Sequence, residues 1–67
     1  MKYFYSIWLL RDSKAVLLED EETCYLKSQA FKRAKEITKS KVYGEDCSIL
    51  VRKITIGSRV CTQWEFK

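Results

Sequence analysis

The chain has 67 residues, of which 46% are hydrophobic and 33% are charged, and its formal net charge is +4. This length predicts one domain spanning residues 1–67, and the composition is that of a globular protein. The chain contains no stretch of the roughly 18–20 apolar residues that a membrane-spanning helix needs. The short apolar run after Lys2 ends in charged residues and offers no signal-peptide cleavage site. We therefore expect a cytoplasmic protein without membrane contact.

The charge is unevenly distributed along the chain. Residues 1–26 hold three basic and five acidic side chains, a net −2, whereas residues 27–67 hold ten basic and four acidic ones, a net +6. A basic surplus favours polyanions or acidic protein surfaces as partners, although it also serves solubility.

Candidate catalytic and metal-binding residues are few. The cysteines at positions 24, 47 and 61 form no C-x-x-C pair, and the chain has no histidine. We therefore expect free thiols, no metal site, no cofactor and no catalytic residues. The acidic run Glu19–Glu22 lacks the spacing of a calcium loop, so it is interpreted as a solvated loop.

The first third of the chain predicts one strand and leaves a second one open. Residues 2–11 are rich in aromatic and branched side chains and are apolar on both alternating faces, which is typical of a central strand. Asp12-Ser13 is a turn signal, after which Ala15–Glu19 forms either an antiparallel strand or a loop.

The middle of the chain predicts one amphipathic helix. Ser28 is a residue type that favours the helix N-cap, and Gly44 is placed to follow the end of the helix. The residues that recur on one helical face are Ala30, Phe31, Ala34, Ile37 and Thr38. Charged residues occupy the opposite face.

The last third predicts a β-hairpin around Gly57-Ser58. A two-residue turn there places Ile54 opposite Cys61, and Ile56 opposite Arg59. We expect the helix to pack on the face carrying Ile49, Val51, Thr55, Val60, Trp64 and Phe66. The fold class is therefore α+β, a small antiparallel sheet of three or four strands in the order β-β-α-β-β or β-α-β-β, with one helix on one face.

The sheet carries more apolar residues than one helix can cover, which predicts a binding surface. One helix covers one face of such a sheet, yet both faces of the first strand and of the hairpin carry apolar groups, and exposed apolar patches mark interaction sites. The alternative is a strongly twisted sheet that hides these groups at its edges. The predicted protein-interface residues, with the arginines at the rim, are Phe4, Trp8, Leu10, Leu50, Arg52, Ile54, Ile56 and Arg59.

The helix supplies a second candidate surface, which is basic. The residues predicted to contact nucleic acid or an acidic partner are Lys32, Arg33, Lys35 and Lys39. Such a stripe can neutralise phosphates, and Arg52, Lys53 and Arg59 add to its charge. The alternative is an ordinary solvated helix face.

The helix opened by Ser28-Gln29-Ala30, with Ala34 one turn later, Gly44 and a C-terminal hairpin, resembles small phage-encoded inhibitors. In particular it is similar to anti-CRISPR proteins of the type I-F group, over roughly residues 27–54. The resemblance implies occlusion of a host nucleoprotein complex, with Lys and Arg side chains in sites meant for nucleic acid. It also implies a location in the host-cell cytoplasm if the source is viral.

These observations favour a non-enzymatic binding protein. We expect it to occlude a host protein or nucleoprotein complex through the open side of the sheet, with a homodimer as a further form. The alternative is a small basic nucleic-acid-binding module that uses the lysine-rich helix. A third hypothesis, that the chain is a small enzyme, is supported only by the presence of thiols and carboxylates.

Overall fold

The computed structural model describes residues 3–59 and 61–67. The elements follow in the order β1 (Tyr3–Arg11), β2 (Lys14–Leu17), α1 (Lys27–Ser40), β3 (Ser48–Thr55) and β4 (Cys61–Phe66). The strands form one antiparallel sheet in the order β2-β1-β3-β4. The α+β prediction is therefore confirmed in its β-β-α-β-β form, and β1 is an inner strand as its two apolar faces predict.

The turn between β1 and β2 has the mirror-image geometry that suits antiparallel strands. Asp12 and Ser13 adopt φ values of 53° and 65°, and they join the paired residues Arg11 and Lys14. Positive φ at both central residues defines the type I′ turn, whose twist matches that of the flanking strands. The second strand therefore exists.

The segment between β2 and α1 follows the edge of β1. Cys24 forms an isolated antiparallel bridge with Tyr5, closed by backbone hydrogen bonds of 2.7 and 3.0 Å. The helix then begins at Lys27 with Leu26 as its N-cap, and no side chain caps it. The prediction of Ser28 as N-cap is therefore wrong. Residues 26–29 are exposed, so water can satisfy the free N–H groups of the first helical turn.

The helix ends where the sequence predicts. Lys41 adopts a left-handed conformation with φ of 54°, and its N–H donates to the carbonyl of Ile37 at 3.1 Å. This single bond satisfies one of the carbonyls that every helix leaves unpaired at its C-terminus.

The hairpin between β3 and β4 has the predicted register. The pairs Ile49 with Phe66, Val51 with Trp64, and Ile54 with Cys61 are all present. The Ser58 N–H donates to the Thr55 carbonyl at 3.1 Å, so the turn spans residues 55–58. Its central residues lie one position earlier than predicted. Gly57, with φ of 86°, is the third residue of that turn, a position that favours glycine. Val60, predicted to face the helix, lies outside the described residues.

The hydrophobic core lies between the helix and one face of the sheet. The buried sheet residues Tyr5, Ile7, Ile49 and Val51 contact the helix residues Ala30, Ala34 and Ile37. Two alanines bring the helix axis close to the sheet, since their side chains are short. The predicted helix face and hairpin face are confirmed for the residues described.

Candidate functional site

The second face of the sheet is the candidate site, and we call it the open face. Strand alternation places there Phe4, Ser6, Trp8, Leu10, Ala15, Leu17, Ser48, Leu50, Arg52, Ile54, Cys61, Gln63 and Glu65. The helix contacts the opposite face, and the apolar loop residues Leu18, Cys24 and Tyr43 pack against the core on that same side. No described helix or strand covers the open face.

A stacked pair stands at the centre of the open face. The guanidinium carbon of Arg52 lies 4.4 Å from the ring centroid of Trp8, which is cation–π distance. The indole Nε1 of Trp8 donates to Ser6 Oγ at 2.8 Å, and Nε of Arg52 donates to Gln63 Oε1 at 3.1 Å. Trp8 is therefore held in one orientation by Ser6 on its own strand, and Arg52 is held by Gln63 on the adjacent strand β4.

Leu50 differs from the other predicted interface residues. It lies on the open face, directly opposite Trp8 on β1 and Glu65 on β4, and only 2% of it is exposed. Leu50 is therefore not one of the apolar residues that lack cover within the chain. It lies on an inner strand, so paired strands flank it on both sides.

The two predicted rim arginines occupy different places. Arg52 lies in the middle of the sheet, because β3 is an inner strand, so its assignment to the rim is wrong. Ile56 and Arg59 lie in the turn beyond β3, outside the strands, and Ile56 is 64% exposed. Phe4, Leu10 and Ile54 lie on the open face and are partly buried.

Arg33, predicted to contact an external anion, has partners within the chain. Its guanidinium donates to both carboxylate oxygens of Glu21, at 2.6 and 3.0 Å, and contacts Glu36 at 3.4 Å. The Arg33 hydrogen bond lowers the pKa of Glu21, and the pairing raises the pKa of Arg33. The acidic run is therefore not simply a solvated loop, because Glu21 ties it to the helix. Lys32, Lys35 and Lys39 remain exposed on the helix.

Two further lysines lie over aromatic rings on the helix side of the sheet. Nζ of Lys27 lies 4.8 Å from the Trp64 ring centroid, and Nζ of Lys53 lies 4.5 Å from that of Tyr3. Lys53 and Arg52 are neighbours in β3, so alternation sends them to opposite faces. The prediction that both add to one basic surface is therefore wrong, and the strand period could have shown this.

The three cysteines are free thiols. Burial raises the pKa of Cys24, and the nearby Glu22 and Glu21 raise it further, which disfavours the reactive thiolate. Among the described residues, no group of three or more acidic, cysteine or histidine side chains is arranged to hold a metal ion. No helix in this part of the chain is long and apolar enough to cross a membrane.

A groove of about 530 Å³ lies at the end of the molecule where the helix terminates. Leu10, Ile37 and Phe66 contribute apolar walls, and the loop after the helix supplies Lys41 and Glu45, which pair with each other at 3.0 Å. Within the described residues, every buried side-chain nitrogen or oxygen has a hydrogen-bond partner. No such buried group is therefore left to fix a small ligand in this groove.

Comparison with known proteins identifies no relative: no protein-family model, curated protein or solved structure matches the chain. The resemblance to phage-encoded inhibitors therefore stays a prediction.

Proposed function

We propose that this chain is a non-enzymatic binding protein that docks on a partner protein through the open face of its sheet. One observation carries the proposal. No described helix or strand covers the apolar side chains that two adjacent inner strands place on the open face, and the Trp8–Arg52 pair lies among them. Tryptophan and arginine are the residues that most often dominate binding energy at protein interfaces.

The open face is suited to binding because it is already rigid. Trp8 lies on β1 and Arg52 on β3, each of which pairs with strands on both sides. Their side chains are further held by Ser6 and Gln63. Binding then requires little ordering of these groups, and less conformational entropy is lost.

The resemblance to phage-encoded inhibitors supplies a concrete class of partner. A small inhibitor acts by occupying a surface that its target needs, so the open face would cover a functional surface of a host protein or nucleoprotein complex. In this proposal the basic helix lies on the far side of the sheet. Its lysines would face away from the partner surface.

The proposal is tested by affinity capture from lysate of the natural source, with and without nuclease. Bait variants Trp8→Ala and Ile54→Asp alter the open face, and Lys35→Glu alters the helix as a matched control. We expect nuclease-resistant capture of the same protein by the parent chain and by Lys35→Glu, and loss of that protein with both open-face variants. Capture that survives both open-face changes contradicts the proposal. Circular dichroism verifies that each variant is folded.

The exposed lysines of the helix favour one second candidate, nucleic-acid binding. Lys32, Lys35 and Lys39 have no acidic partner among the described residues, and three such cations can each neutralise a phosphate. Fluorescence anisotropy with labelled duplex DNA tests this. A plot of the logarithm of the binding constant against the logarithm of the salt concentration would have a slope of about −3. No binding at low salt eliminates this candidate.

A further inference from the structure

We infer that Arg52 is the specificity-determining residue of the open face, and that the partner surface it recognises presents a carboxylate side chain surrounded by apolar residues. This inference rests on the proposed function, which assigns the open face to a partner protein, and it adds the chemistry that the partner must supply.

The hydrogen-bonding state of Arg52 leaves its outer donors available. Among the described residues, Nε alone has a hydrogen-bond acceptor, Oε1 of Gln63, and the guanidinium lies over the ring of Trp8. The N–H groups of Nη1 and Nη2 have no acceptor among the described residues. A carboxylate matches the planar donor pattern of a guanidinium better than any other protein group, because it can accept two parallel hydrogen bonds.

The charge balance of the open face also calls for an external anion. Arg52 and Glu65 are the basic and the acidic residue on this face, and Glu65 contacts Lys67 at 3.8 Å. Arg52 bonds instead to the neutral amide of Gln63. Docking removes water from Arg52, and a desolvated charge without a counter-charge is strongly unfavourable. A purely apolar partner surface is therefore rejected.

The distribution of the other cations favours a single carboxylate over a nucleic acid. A polyanion binds by neutralising several phosphates along its length, which requires several cations on one surface. Lys53 projects to the opposite face of the sheet, where it lies over Tyr3, and Lys27 lies over Trp64 on that same side. Among the described strand residues of the open face, Arg52 is the one cation, since Lys67 contacts Glu65 and Arg59 lies in the turn beyond β3. One such cation fits one acidic side chain.

The inference is tested by selecting a random displayed-peptide library on the intact chain. We expect the enriched peptides to contain Asp or Glu flanked by apolar residues, and to bind in a way that Trp8→Ala and Ile54→Asp abolish. Changing Arg52→Gln should lower the affinity of these peptides by roughly 30-fold or more, because it leaves a desolvated carboxylate on the peptide unpaired. Arg52→Lys should retain part of the affinity, since lysine keeps the charge but loses the bidentate geometry.

The matched control is Lys53→Gln, the neighbouring residue, which also lies over an aromatic ring but on the opposite face. It should leave peptide affinity unchanged. Peptides that bind the open face yet lack acidic residues and tolerate Arg52→Gln overturn this inference and leave the proposed function intact. Peptides that are insensitive to Trp8→Ala and Ile54→Asp overturn the proposed function itself. Displacement of open-face peptides by a single-stranded oligonucleotide, abolished by Arg52→Gln, would overturn the inference in favour of phosphate recognition.

Discussion

The two faces of the sheet are built from the same strands, alternating residue by residue, yet they have different environments. On one face Ile7 pairs with Val51, and both are fully buried beneath the helix. On the other, Trp8 pairs with Leu50, and Trp8 lies partly exposed with Arg52 over its ring. The position of the helix, and not the apolarity of the strands, therefore determines which face forms the main hydrophobic core.

The comparison is not absolute, because the open face carries some of the folding energy. Leu50 is as well buried as Ile7, each being 2% exposed. Its cross-strand neighbours are Trp8 and Glu65, whereas Ile7 belongs to the cluster that includes the helix residues. The open face therefore combines a buried centre with a partly exposed surround.

The largest expected effect tests the helix-covered face. Changing Ile7→Ala should cost about 2–5 kcal/mol of unfolding free energy, because it leaves a cavity between sheet and helix. That is a large share of the roughly 3–10 kcal/mol expected for a chain of this size. The matched change Ile54→Ala on the open face should cost less than half as much. Urea denaturation followed by tryptophan fluorescence measures both, and equal losses would show that the two faces are equally packed.

An intermediate effect tests the buried centre of the open face. Changing Leu50→Ala should cost about 2–3 kcal/mol, at the lower end for a buried leucine because the cavity lies near solvent and can be filled. Leu17→Ala, on the same face but 42% exposed, should change stability by roughly 0.5 kcal/mol. If the two leucines prove equivalent by chemical denaturation, Leu50 is not covered as described.

The smallest effect concerns the ion pair that ties the acidic loop to the helix. The pKa of Glu21 is lowered from 4.5 in the folded chain, so its contribution to stability is present above that value. The contribution is lost as the pH falls through the lowered pKa. Glu21→Gln should therefore reduce the thermal midpoint at neutral pH, and the difference from the parent should vanish in acid.

The control for that ion pair is Glu45→Gln, which removes the exposed contact with Lys41. Exposed ion pairs on helices and loops contribute little to folding stability. The thermal midpoint of Glu45→Gln should therefore stay close to that of the parent at every pH. A pH-independent loss with Glu21→Gln would show that the carboxylate acts through packing and not through its charge.

Local patterns predicted the elements and much of the register. Strand alternation and the position of Gly57 were enough to pair Val51 with Trp64, because an antiparallel hairpin with a short turn admits few registers. The helix start was missed because Leu26 follows the long-range bridge between Cys24 and Tyr5, which no capping pattern reveals.

The candidate site was predicted in composition but not in arrangement. Alternation placed Trp8 and Arg52 among the interface residues, and both lie on the open face. Their contact depends on β1 pairing with β3, strands that are separated by β2 and the helix in the chain. In the same way, Glu21 and Arg33 are 12 residues apart, and only the fold brings their side chains together.

The residue period of the strands assigns apolar groups to both faces, so the sequence already indicates that one helix leaves part of the sheet uncovered. Which of these groups stay accessible depends on the folded arrangement of the strands. Strand order buries Leu50 within the sheet, positions Arg52 over Trp8, and engages Arg33 with Glu21. The physical reason is that periodicity acts over a few residues, whereas cross-strand contacts and ion pairs depend on segments that meet only when the chain folds.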